Sequence, residues 1–270
     1  MLNIAHRGAR SLAPENTLAA AQKGLETGAD MWELDVALTA DSVPILLHDD
    51  TLERTSNARQ IFPDRRPWRV HEFSLADLRQ LDFGSWFVEQ DPFGQIAADQ
   101  VSTEDLARYQ GEPAPTLLEA LEFSRHHHWP VNVDLKDVSG TPGAASIVEQ
   151  VVALIEALDM VEQVIISSFN HTYLQRVKAL NTGLTTGALV YTPVADPARL
   201  LSRLKAQAFH PHHALVTPKL VRYLRVQGFG VNVYTVNKES TMKRLIEAGV
   251  SGIFTDFPQV LHSLWEAGDA

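Results

Sequence analysis

Short, largely apolar runs recur along this chain, and most are followed by longer stretches whose apolar residues return at helical spacing. Strand candidates are 2–6 (LNIAH), 31–36 (MWELDV), 44–48 (PILLH), 131–135 (VNVDL), 164–167 (VIIS), 186–190 (TGALV), 214–216 (ALV), 231–235 (VNVYT) and 252–255 (GIFT). Helix candidates are 17–27, 115–128, 144–158, 171–180, 196–207, 218–227, 239–248 and 258–266. Asn16 reads as the N-cap of the first helix and Gly28 as its C′ residue. Such alternation predicts parallel strands joined by helical crossovers.

The spacing sets one of the nine strand candidates apart. Only seven residues, 37–43, separate the second from the third, and a parallel crossover needs about a dozen or more. That pair must be an antiparallel hairpin, with the polar stretch TADSV, 39–43, as its turn. Eight strands remain, each with a helix to follow it. The expected fold is therefore an α/β structure, a (β/α)8 barrel of one domain over 1–270, with a hairpin grown from its second strand.

The rhythm fails over 50–114, where Pro63, Pro67, Pro92 and Pro113 stand among Phe62, Trp68, Phe73, Phe83, Trp86, Phe87 and Phe93. A structureless loop of that length is improbable, and SLADLRQLD at 74–82 has helical spacing. The segment is expected to be a small inserted subdomain over one end of the barrel.

Composition narrows the chemistry. The 270 residues are 45% hydrophobic, and barrels of this kind commonly run to about 250 residues. With no cysteine, disulfides, zinc–thiolate sites and thiol nucleophiles are excluded. A formal net charge of −10 disfavours nucleic acid as a partner. No leader-like segment is visible, since Ala5 is followed at once by His6, Arg7 and Arg10. No apolar run approaches the roughly 18 residues of a membrane span. A cytoplasmic protein without membrane insertion is expected.

Side chains two apart on a strand share a face. Glu33 and Asp35 therefore point the same way, as do Asp134 and Lys136, and both pairs sit near the C-terminal ends of their strands. His6 and Arg7 stand at the same end of the first strand. With its turn centred near position 41, the hairpin brings His48 opposite residue 34, beside Glu33 and Asp35. Singly, such residues read as a solvated edge or an ordinary surface pair. Their convergence at the barrel end that carries active sites reads as chemistry. Three clustered carboxylates require a cation or raised pKa values, and oxygen ligands suit Mg2+ or Ca2+. Arg7 and Lys136 leave room for an anion such as phosphate, and two imidazoles suit proton transfer.

HRG at 6–8, PENT at 14–17, ELD at 33–35 and PILLHD at 44–49 resemble the glycerophosphodiester phosphodiesterase family. So do APTLLEAL at 114–121, VNVDLK at 131–136, SSF at 167–169, VNVYTVN at 231–237 and GIFTDFP at 252–258. The resemblance covers nearly the whole chain in order, and the family's fold is a (β/α)8 barrel with an insertion. It implies metal-dependent hydrolysis of glycerophosphodiesters to sn-glycerol 3-phosphate and an alcohol. It further implies His6 and His48 as the acid–base pair, Glu33, Asp35 and Asp134 as holders of one divalent cation, and Arg7 and Lys136 as phosphate ligands. Glu15, Phe169, Tyr234 and Asn237 are the candidate lining of the substrate pocket, Glu15 standing either in it or just behind it.

Two positions depart from the family pattern. Asp134 stands where Glu is usual, withdrawing the carboxylate by about 1.5 Å, one bond. Tyr234 stands where Trp is usual, which keeps an aromatic wall and adds a hydroxyl. Two alternatives accompany this expectation. One is a lysophospholipase D with an apolar channel under the aromatic insertion. The other is an inactive barrel that only binds such diesters. RHHHW at 125–129 reads as a helix end. His210 of FHPHH at 209–213 is expected just before the seventh of the nine strands, in a structural role, and Asp256 as a cap or turn.

Overall fold

A computed structural model describes residues 1–268. Its strands are β1 (Leu2–Ala5), β2 (Met31–Leu38), β3 (Pro44–Leu46), β4 (Val131–Leu135), β5 (Val164–Ser168), β6 (Thr185–Val190), β7 (Ala208–Pro211), β8 (Gly230–Val233) and β9 (Gly252–Thr255). They pair in the order β1-β9-β8-β7-β6-β5-β4-β2, and β1 also pairs with β2. Eight parallel strands thus close into a barrel, with β3 antiparallel on β2. Helices lie outside the ring.

Period-two alternation divides the strand residues between two cores. Trp32, Leu34 and Val36 of β2, Val131 and Val133 of β4, and Val231 and Val233 of β8 join the large core between barrel and helices. The residues between them face inward. At the bottom of the barrel Ile4, Met31 and Phe254 form a small apolar plug. Above it the interior is polar: Asn132, Asp134, Ser167, His210 and Asn232 are all buried. Burying one aliphatic side chain of the outer core stabilises the fold by about 1.5–3 kcal/mol. That apolar shell is what permits a charged interior.

The hairpin explains how two distant segments meet. On one edge β2 pairs with β4 through Trp32–Val36. Its other edge is shared. β1 occupies it only as far as Trp32, and β3 takes it over from Val36 to Leu38. The chain leaving β1 upward and the chain returning from β3 downward therefore converge on residues 33–35. The pairing of Leu46 with Val36 continues to place residue 48 opposite 34, and Leu47 N–H donates to the Asp35 carbonyl.

Three local expectations are corrected. The seventh strand in chain order is not 214–216, since 213–215 forms a 3-10 turn and the strand is Ala208–Pro211. His210 lies within it rather than before it. The hairpin's return strand ends at Leu46 rather than at residue 48. Asn16 does not cap the first helix, Leu18–Glu26; Thr17 does, accepting from Ala20 N–H. Gly28, with φ +75°, does follow the helix in the left-handed conformation.

The segment 50–114 carries helices Ala58–Ile61, Leu75–Leu78, Ser85–Gln90 and Thr103–Tyr109. Ser74 and Asp77 cap the second of them reciprocally. Its aromatic residues turn inward. Trp68, Phe73 and Phe83 pack under the hairpin with Ile45 and Leu47, while Trp86, Phe87 and Tyr109 pack on Ala9, Leu12 and Ala20. Phe93 stacks edge-on against Phe257 beneath the Arg10 guanidinium. The aromatic residues of this segment buttress the hairpin and the first strand–helix connection and do not line the cavity described next.

Candidate active site

His6, Arg7, Glu33, Asp35, His48, Asp134 and Lys136 line one cavity of about 200 Å3 at the C-terminal end of the barrel, together with Phe169 and Tyr234. Glu33 and Asp35 come from β2, Asp134 from β4 and Lys136 from the residue that follows it. Arg7 and Gly8 turn the chain sharply off β1, with φ +57° and +80°. A Cβ on residue 8 would lie 2.5 Å from the Ala20 carbonyl carbon, so glycine is required where the first helix crosses. This turn aims the Arg7 N–H at Glu33 Oε2, 2.9 Å away.

The carboxylates are the electrostatic centre. Glu33, Asp35 and Asp134 are buried, and each offers an oxygen within 4.8 Å of the others. Burial, with Asp35 and Asp134 alongside, pushes the Glu33 carboxyl well above its usual range. Burial likewise raises Asp134 to about 7, Lys136 opposing and Asp35 reinforcing the rise. Asp35 differs: burial works against its charge, but Arg7, then Lys136 and His48, hold it well below the normal range. Arg7 Nε lies 3.2 Å from Asp35 Oδ2, and Lys136 Nζ lies 3.5 Å from Asp35 Oδ1 and 3.9 Å from Asp134 Oδ2. The Asn16 side chain completes the grip, donating to Asp35 Oδ2 at 2.9 Å and accepting from the Asp35 N–H at 3.1 Å. Asp134 Oδ1, by contrast, is buried without a hydrogen-bond partner. An orphaned oxygen in an oxygen-only cluster fits a hard divalent cation.

Each histidine is paired with its own carboxylate. His6 Nδ1 lies 2.6 Å from Asp256 Oδ1, and His48 Nδ1 lies 2.7 Å from Asp49 Oδ1. A carboxylate at Nδ1 favours the tautomer that leaves Nε2 for a reactant. Burial, followed by the Arg7 charge, lowers the His6 pKa, with Asp256 opposing. Asp256 is in turn gripped by Asn237, whose Nδ2 donates to Oδ2 at 2.6 Å and whose Oδ1 accepts the Asp256 N–H at 3.0 Å.

Two pocket expectations are corrected. Asn237 does not line the cavity, because its amide is spent on Asp256. Glu15 is also outside it, buried among Arg7, Arg10 and Arg54. Those partners hold its carboxyl at about 2 although burial opposes ionisation. Phe169 stands half-exposed at the rim, 5.8 Å from the Tyr191 and Tyr234 ring centroids. The Tyr234 hydroxyl donates to the Val190 carbonyl at 2.8 Å, so the tyrosine presents ring rather than hydroxyl to the cavity.

Sequence reasoning missed Asp256 and Asp49 as histidine partners, and Arg10 and Arg54 altogether. Asp49 could have been found as the neighbour of His48. Nothing local marks Asp256, which lies 250 positions from its partner.

The arrangement can hold a cation and an anion together, with two proton-transfer groups beside them. Comparison with known proteins agrees. The model of the glycerophosphoryl diester phosphodiesterase family matches residues 6–260. A glycerophosphodiester phosphodiesterase of Caldanaerobacter subterraneus subsp. tengcongensis is 34% identical over 267 residues, 99% of this chain and 98% of its own. One from Bacillus subtilis is 32% identical, covering 98% of this chain and 86% of its own. Among solved structures, an Oleispira antarctica phosphodiesterase in complex with the product sn-glycerol-3-phosphate is similar, with TM-score 0.77, 28% identity and coverage of 97% and 96%. The glycerophosphodiester phosphodiesterase of Agrobacterium tumefaciens gives TM-score 0.74 at 26% identity, covering 96% and 98%. A barrel whose first and second strands deliver these groups, matched along almost its full length, places the chain in the glycerophosphoryl diester phosphodiesterase family.

Proposed function

We propose that this protein hydrolyses small glycerophosphodiesters to sn-glycerol 3-phosphate and an alcohol. The observation that carries the reading is the convergence of two carboxylate-braced imidazoles on a buried three-carboxylate cluster inside one cavity. The likeness to the Oleispira protein, which binds that product, supports the substrate class.

Glu33, Asp35 and Asp134 would hold one divalent cation, Mg2+ or Ca2+, since every donor is oxygen. When bound, such an ion supplies Lewis-acid charge to a phosphoryl oxygen. Arg7 and Lys136 face the same cavity as fixed positive charges and hold the remaining phosphoryl oxygens. His6 and His48 share the proton transfers, one removing a proton from the attacking oxygen and the other giving one to the departing alcohol. Asp256 and Asp49 keep the rings oriented and support the imidazolium that each ring passes through. Phe169 and Tyr234 give the glycerol carbons an apolar wall.

The lysophospholipase D alternative is not favoured, because the aromatic residues of 50–114 are spent on packing under the hairpin, against the first helix connection and on Phe257. The deciding assay is release of glycerol 3-phosphate from diesters with different head groups, before and after chelation and with Mg2+ or Ca2+ restored. Turnover that depends on the added ion supports the reading. No glycerol 3-phosphate from any diester, or head-group alcohol freed only from lysophospholipids with lysophosphatidate as the other product, overturns it.

A further inference from the structure

Glu15 touches neither histidine, yet every functional part of the site leads back to it. Its carboxylate accepts from Arg7 Nη1 at 2.7 Å, from Arg54 Nη1 and Nη2 at 3.0 and 2.7 Å, and pairs with Arg10 Nη2 at 2.8 Å. The side chain is 2% exposed. Each arginine reaches outward to a different carboxylate. Arg7 Nε meets Asp35 of the acidic cluster at 3.2 Å. Arg54 Nε donates to Asp49 Oδ2 at 2.7 Å, and Asp49 holds His48. Arg10 Nη1 lies 3.7 Å from Asp256 Oδ1, and Asp256 holds His6.

We propose that Glu15 is a positioning residue, the buried hub that sets the cation-holding cluster and both imidazoles in register through three arginine limbs. The charge pattern requires such a hub. Three guanidinium groups crowd one place beside the cavity, where they would repel one another without a central anion. Released from it, Arg54 and Arg10 would turn toward solvent, leaving Asp49 with His48 alone and Asp256 with His6 and Asn237. The planar fork of arginine fixes direction as well as charge, so moving the inner end of a limb moves its outer end.

The inference rests on the proposed roles of His6 and His48, but its central test does not read activity. In the full-length protein with Mg2+ present, 15N-labelled histidine spectra report the ring nitrogens directly. Glu15→Gln should shift the signals of both His6 and His48 and leave the partly buried His262, on the last helix, unchanged. The limb variants divide the effect: Arg54→Lys should shift His48 alone and Arg10→Lys His6 alone. They serve as the test if Glu15→Gln does not fold. Turnover should fall roughly 10–100-fold in Glu15→Gln with KM nearly constant, and Glu15→Asp should recover part of it. Unmoved rings in Glu15→Gln overturn the proposal. So do limb variants that shift both rings or neither, or a loss of activity that only tracks the unfolded fraction. Wild-type-like turnover in His6→Ala and His48→Ala would instead refute the catalytic reading while leaving the ring shifts to judge the hub.

Discussion

Asp35 and Asp134 are direct partners across the β2–β4 ladder, two buried carboxylates facing each other at adjacent strand tips. Like charges so placed destabilise a sheet, and Asp134 carries the burden, its carboxyl driven up to about 7 chiefly by burial, with Asp35 adding to the rise. Asp134→Asn should therefore stabilise the cation-free protein near neutral pH, by about 1–3 kcal/mol, each pK unit of the rise being worth at most about 1.4 kcal/mol. It should also weaken the response to the ion. Wild type should gain about 2.7 kcal/mol from Mg2+ or Ca2+ at a hundredfold excess over Kd, and the variant far less. Thermal melts in EDTA and in excess cation measure both effects. A variant less stable than wild type without the ion, yet equally responsive to it, would exclude this residue from the cation site.

His6→Ala and His48→Ala should each retain the fold and lose turnover by about 10²–10⁴-fold, the usual worth of acid–base assistance. Neither ring is part of a hydrophobic core, so melting temperatures should move little. Steady-state assays alongside circular dichroism separate the two effects. A double variant scarcely slower than either single one is expected, because the two rings act in one reaction.

Phe169 stands at the rim against Tyr234 and Tyr191 and touches none of the charged groups through a hydrogen bond. Phe169→Ala should therefore raise KM several-fold while kcat changes by less than about threefold, since it removes binding shared by ground and transition states. A drop confined to kcat would place Phe169 in the chemistry instead of the wall.

How much of this was legible beforehand divides along sequence distance. The hairpin could be read because seven residues between two apolar runs permit only one connection, and the β-period then fixed which way Glu33, Asp35 and His48 face. β7 was misread for a physical reason. The apolar ALV at 214–216 has the pattern of a buried strand, whereas the true strand, Ala208–Pro211, carries an inward-facing histidine because the upper barrel interior is polar. Asn16 was misread as a cap because capping is the local use of asparagine. Its actual partner, Asp35, lies 19 residues on. Asp256 and Arg10 acquire their joint role only when closure of the barrel brings the last strand beside the first, and Arg54 its own only when the chain after the hairpin returns to Glu15, 39 residues back.

His210 supplies the pH dependence of stability. Its ring is fully buried inside the barrel above Gly187, where an added Cβ would come within 2.3 Å of it. Nε2 accepts from Asn232 Nδ2 at 3.1 Å, and Nδ1 has no partner. Burial lowers the pKa from 6.5 to about 3. Below 6.5 the unfolded chain binds a proton that the folded chain refuses, so stability is full above that value and is lost as pH falls toward 3. The slope contributed by this residue is about 1.4 kcal/mol per pH unit. Urea unfolding of wild type and His210→Gln between about pH 6.5 and pH 4 isolates it from the other titrating groups, with wild type expected to lose up to about 3 kcal/mol more than the variant. Parallel pH profiles for the two proteins would show that His210 accepts its proton in the folded state, and the barrel interior would then have to be more accessible to water than its packing implies.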